Sequence, residues 1–168
     1  MTQRSGFWAV LAGGTIAGAL DILFAVSFAA YNGVDALRLL QTVASGALGE
    51  AAFSGGASTA ALGLACHFGL SYVWAALFFA AAWHLPTLVR RPLISGVLFG
   101  VVVFLCMRLV VLPLSAFPRP VTFKPLATVL DLLSHMLLFG FPIAWAASKA
   151  ITRRQGLVLE LKPGPAGD

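Results

Sequence analysis

Apolar positions fall into four long runs separated by short polar breaks, over residues 7–31, 57–83, 93–112 and 126–150. A helix needs about 20 mostly apolar residues to cross about 30 Å of hydrocarbon, and every run is long enough. None alternates with the two-residue period of a barrel strand. The pattern predicts an all-α integral membrane bundle of four transmembrane helices, arranged as two helical hairpins. Between the first two runs, Val34, Leu37, Leu40 and Leu48 recur at near-helical spacing, with Arg38, Gln41 and Glu50 interspersed. That stretch predicts a short interfacial or re-entrant helix, broken from the next span by Gly55-Gly56. Residues 1–155 then make a single membrane domain. Residues 156–168 are expected to be a disordered cytoplasmic tail, rich in Pro and Gly from Lys162 onward.

Composition agrees with this class. Of the 168 residues, 60% are hydrophobic and 10% charged, against about 45–50% and about 25% in a soluble domain. Seventeen charges, 11 basic and 6 acidic, cannot cover a soluble surface of this size. A soluble enzyme, a disordered chain and a nucleic-acid-binding module are excluded, and the lipid bilayer is the first partner. The net charge of +5 sits between and after the apolar runs, not along one stripe. Arg4 before an apolar stretch, with Ser27-Phe28-Ala29, imitates a secretory signal. The stretch is longer than a signal core of about 7–15 residues and contains Asp21, so it is expected to be a retained helix.

Orientation follows from the basic residues near the helix ends. Arg4, Arg90, Arg91, Lys149, Arg153, Arg154 and Lys162 gather on one side, and Arg38, Arg119 and Lys124 on the other. Seven against three puts both termini in the cytoplasm of a bacterial inner membrane.

Charge inside lipid costs about 2.5–3.5 kcal/mol per group, so intramembrane polar residues need partners. Five stand out: Asp21, His67, Arg108, Asp131 and His135. At a rise of about 1.5 Å per residue all fall in the outer half of their helices. Gly14, Gly18 and Asp21 share one face of the first span, and Gly63, His67 and Ser71 one face of the second. Thr128, Asp131 and His135 share a face of the fourth. Arg108 lies about 80° around its helix from Gly100, toward a different neighbour. Gly14-x3-Gly18 and Gly96-x3-Gly100 predict close helix packing, within the chain, in a homo-oligomer or against other membrane proteins. With His67 echoed by His135, they also hint at an internal repeat of two hairpins.

Three readings of the polar set stand side by side. It is a buried cluster that fixes helix register, with Arg108 neutralised by Asp21 or Asp131. It is a cavity open to the periplasm in which imidazoles titrate with external pH. Or Arg108 snorkels to the outer interface while Asp131 is hydrated. In the cavity reading, two charged imidazoles beside Arg108 repel, and acid loosens the cluster. His67 and His135 as haem ligands, or Cys66, His67, Cys106 and His135 as a metal site, lack any supporting motif, so no cofactor or metal is expected. There is no nucleotide loop, nucleophile elbow or catalytic carboxylate pair, and no enzymatic activity is expected. Trp8 and Trp83 fit an interfacial belt. Pro142 should bend the fourth span, as simple curvature or as a gate.

The second half also carries a resemblance. His67 with the aromatic-rich span after it, Pro86, Pro92-Leu93, Ser95-Gly96, Val111, Pro113, Pro118, His135 and Arg153-Arg154 resemble the YagU-like family of small bacterial inner-membrane proteins. The resemblance covers about residues 63–154. It implies a contribution to acid resistance at the inner membrane and carries over no catalytic residue. From the residues alone, a helix-docking assembly subunit and a haem or quinone redox subunit remain alternatives.

Overall fold

The computed structural model describes residues 2–160, with side chains from 6 to 153. The described residues form an all-α bundle. Four helices are long and apolar enough to cross a membrane: Gly6–Tyr31, Gly56–His84, Pro92–Leu114 and Pro125–Arg153. The chain is therefore a multi-pass membrane protein. Its helices are α1 (Thr2–Tyr31), α2 (Ala36–Leu48), α3 (Gly56–His84), the single turn α4 (Thr87–Arg90), α5 (Pro92–Leu114) and α6, which crosses as Pro125–Arg153.

The spacing that predicted a short helix after the first span produces α2. Asp35 caps it by accepting the Arg38 N–H at 2.7 Å. Gly49 ends it at φ 60°, a 3₁₀ turn follows over Gly49–Ser54, and Gly56 at φ 58° opens α3. Both positions need a left-handed backbone that a Cβ penalises. The helix does not cross. It lies along α3, where a Cβ on Gly63 would collide with the Leu40 carbonyl.

The final helical segment runs from Phe141 to Glu160, past the expected start of a disordered tail at 156. After Pro142 the next proline is Pro163, and Gly156 alone costs a helix only about 1 kcal/mol. Residues 161–168, where the rest of that expectation falls, lie outside the described residues.

Two glycine seams hold the bundle. Gly14 and Gly18 of α1 face Tyr72, Phe68 and Ser71 of α3. Ser71 donates to the Gly14 carbonyl at 2.6 Å, and the hydroxyls of Thr15 and Tyr72 bond at 3.0 Å. Gly96 and Gly100 of α5 face the α6 backbone at Gly140-Phe141 and His135-Met136. The two halves are thus built alike: a Gly-x3-Gly helix receives an antiparallel partner, with a histidine beside the second glycine. Small residues bring the backbones together where lipid supplies no hydrophobic drive. The centre holds Ala17, Ala75, Phe78, Ala82, Val103, Phe139 and Ala144. Leu23, Leu98 and Leu126 are more than 60% exposed and face outward, as does Trp8.

A π-helical turn interrupts α5 at Met107–Val111 and another interrupts α6 at His135–Gly140. Each ends two residues before a proline, Pro113 and Pro142. Proline lacks the N–H that would bond back one turn, and the wider turn absorbs the mismatch. α3 and α5 meet through Phe78 and Phe99, ring centroids 4.9 Å apart. That contact lies in the half of the bundle where α1 starts and α6 ends. In the other half the same two helices line a shared cavity.

Candidate functional site

The cavity has a volume of about 770 Å³. Its walls come from α1, α2, the middle of α3, the last turns of α5 and the start of α6. The connection after α5 roofs it. That connection is docked on α2, with Ala116 N–H donating to the Gly46 carbonyl at 2.9 Å. Arg38 of α2 and Arg119 of the roof lie at 4.0 and 5.1 Å from the Phe53 ring centroid. These cation–π contacts tie roof and wall together.

All five intramembrane polar residues singled out from the sequence line this cavity: Asp21, His67, Arg108, Asp131 and His135. Four of them, with Ser134, form one network. Arg108 donates from Nε and Nη2 to Oδ2 of Asp131, at 3.2 and 2.8 Å. Its Nη1 donates to the Thr122 carbonyl in the roof at 2.8 Å. Phe104 and Phe123 flank the guanidinium at 5.2 and 5.4 Å. Asp131 Oδ1 lies 3.2 Å from Nδ1 of His135, one turn further along α6. The same nitrogen lies 2.9 Å from the Asp131 carbonyl and 4.0 Å from Oδ1 of Asp21. Ser134 donates to Asp21 Oδ1 at 2.7 Å, joining α6 to α1.

Three expectations change. Arg108 and Gly100 face the same neighbour, α6, and not different ones. The π-turn that begins at Met107 widens the helix at Arg108, and the long side chain covers the remaining angle. Pairing and snorkelling occur together: the guanidinium bonds Asp131 while reaching outward to a roof carbonyl. Third, two charged imidazoles would not repel beside Arg108 and loosen the set. His135 sits between two carboxylates, so a proton on it adds attraction. His67 stands apart from the ion network and bonds the Gly18 carbonyl through Nε2 at 2.9 Å.

These contacts fix the imidazole tautomers. A carbonyl only accepts, so Nε2 of His67 and Nδ1 of His135 carry hydrogens. In His135 the opposite nitrogen is the one that gains or loses a proton. Neutral His135 leaves one guanidinium among two carboxylates, whereas charged His135 balances the set.

Sequence reasoning missed Ser134, the hydroxyl between α1 and α6, although it adjoins His135. It also missed the roof and the Gly14 carbonyl that accepts from Ser71, because backbone-directed contacts carry no charge signature. Among the described residues no three His, Cys, Asp or Glu side chains converge to hold a metal ion. Cys66 and Cys106 are partly buried free thiols, and Cys66 lines the cavity. No family model matches this chain, and no curated protein or solved structure matches it.

Proposed function

We propose that this chain is a non-enzymatic protein of the bacterial inner membrane that responds to external acid through its polar cavity. The observation that carries the reading is the position of His135, with Nδ1 3.2 Å from Asp131 and 4.0 Å from Asp21. The count of basic residues, seven toward the termini and three toward the roof, supports cytoplasmic ends and a cavity facing the periplasm. The resemblance of residues 63–154 to the YagU-like family points the same way, toward acid or envelope stress.

Protonation of His135 turns a neutral contact with Asp21 into an ion pair across the α1–α6 joint. Acid therefore tightens the periplasmic half of the bundle, and neutral pH releases it. Protons or small ions reach the network through the cavity. The helix-docking alternative rested on the Gly-x3-Gly faces, and both pairs are occupied by helices of this chain, which favours the first reading.

The test is a distance measurement between spin labels on the roof ends of α1 and α6 in proteoliposomes. Acidifying the outer medium across the imidazole range, about pH 8 to 5, should shorten and narrow the distance distribution. In the His67→Gln, His135→Gln double variant it should stay constant. A double variant that responds like the parent overturns the reading.

A further inference from the structure

A proton or a bare ion does not need so large or so apolar a chamber. About 770 Å³ lies within the size range of small-molecule sites, about 300–1,000 Å³. Away from the charged network the walls are mostly apolar, among them Ile22 and Ala25 of α1, Leu70 and Val73 of α3, Phe104 and Met107 of α5. An occupant would be largely apolar and would place one polar end at the network.

The sign of that end follows from which charges are already engaged. Arg108 gives three of its five N–H donors to Asp131 and the Thr122 carbonyl. Its charge is already shared with the Asp131 carboxylate, which would repel an anion placed beside it. Lys124 lies at the rim of the cavity, at the start of α6. Asp21 is placed differently. Its hydrogen bond comes from the neutral hydroxyl of Ser134, its side chain is only 14% exposed, and the basic group beside it is an imidazole 4.0 Å away. A carboxylate in such surroundings is short of a counter-charge.

We propose that the cavity binds a lipophilic organic cation, whose charge pairs with Asp21 and whose apolar body fills the space between α1, α3 and α5. The proposal rests on the cavity reading above and adds the ligand class. A proton on His135 and a cation in the cavity serve the same carboxylate, so each weakens binding of the other. The ionisable groups facing this point are Asp21 from α1, Cys66 and His67 from α3, Arg108 from α5, Lys124 from the roof, and Asp131 on the helix of His135. α2 contributes none to the lining.

The experiment is equilibrium binding to the full-length protein in nanodiscs, using tetraphenylphosphonium and its size-matched anion, tetraphenylborate. Phosphonium should bind saturably at pH 8 and borate should not compete. Asp21→Asn should weaken phosphonium binding at least about tenfold, the effect of losing one close charge partner. Ala25→Trp, which fills the cavity and keeps every charge, should block it as well. Lowering the pH to 5 should weaken binding in the parent and not in His135→Gln. Equal binding of borate, or an Asp21→Asn variant that binds like the parent, overturns the assignment. So does absence of saturable binding to folded protein. If the α1–α6 distance still answers to acid in that case, the acid response stands and only the ligand class falls. If phosphonium binds while the distance ignores acid, the ligand class stands and the acid response falls.

Discussion

An arginine inside a hydrocarbon layer is tolerable only when its charge is shared, and Arg108 shares it with Asp131, a roof carbonyl and two phenyl rings. Removing either partner alone leaves the other charge stranded. Breaking a buried pair in this way costs about 3–5 kcal/mol. The lower end applies here, because 34% of the Asp131 side chain is open to the cavity. Asp131→Asn should therefore lower stability in detergent-unfolding measurements by about 3 kcal/mol. The double variant Arg108→Met, Asp131→Leu should recover much of that loss. If the double variant is less stable than Asp131→Asn, the pair is not the source of the cost. The residues themselves were legible from sequence, since an ionisable group in an apolar run announces itself. The partner of Arg108 was legible as one of two acids, Asp21 or Asp131, and the structure selects Asp131; the partners of His67 and Asp21 were not legible. Depth follows from counting along a helix, but the azimuth of His67 toward the Gly18 carbonyl depends on how α1 and α3 rotate against each other.

At the scale of elements, the glycine pairs act through what a Cβ would strike. A Cβ on Gly100 would meet the backbone of His135 and Met136, and one on Gly140 would meet the backbone of Gly96 and Gly100. Backbone cannot swing aside, so α5 and α6 would have to separate. On α1 the obstacles are side chains, Tyr72 for Gly14 and Phe68 for Gly18. Both rings are half-buried and can shift. Gly69 of α3 has open space where its Cβ would be. Gly100→Ala should thus destabilise by about 3 kcal/mol or more, and Gly18→Ala by about 1 kcal/mol. Gly69→Ala should stabilise by about 0.5–1 kcal/mol through helix propensity alone. Unfolding midpoints of the three variants check the order, and a Gly100→Ala as stable as Gly69→Ala contradicts the seam. Span ends were legible because length and hydropathy fix them. The partner of each glycine pair was not, since Gly-x3-Gly prescribes closeness without saying to what. The π-turns left one trace in the sequence, a proline two residues beyond each.

For the whole molecule, every functional statement depends on which side the cavity faces. The bundle itself has a polarity: the start of α1, the end of α6 and α4 lie at one end, and α2 and the roof at the other. Lys and Arg near helix ends are retained in the cytoplasm during insertion, before any tertiary contact forms. The later engagement of Arg38 and Arg119 with Phe53 therefore does not remove them from the count. Seven against three remains a clear bias toward cytoplasmic termini. A fluorescent reporter that matures only in the cytoplasm should light up when fused after Arg154. An alkaline phosphatase, active only in the periplasm, should be active when inserted in the 113–125 loop. Shifting the balance should shift the outcome. Replacing Arg90 and Arg91 by Gln while adding two lysines beside Arg119 leaves five against five and should yield a mixed population. The reverse reporter pattern in the parent would invert the bundle. The cavity would then open to the cytoplasm, whose pH is held steady, and an acid-sensing role for His135 would lose its signal.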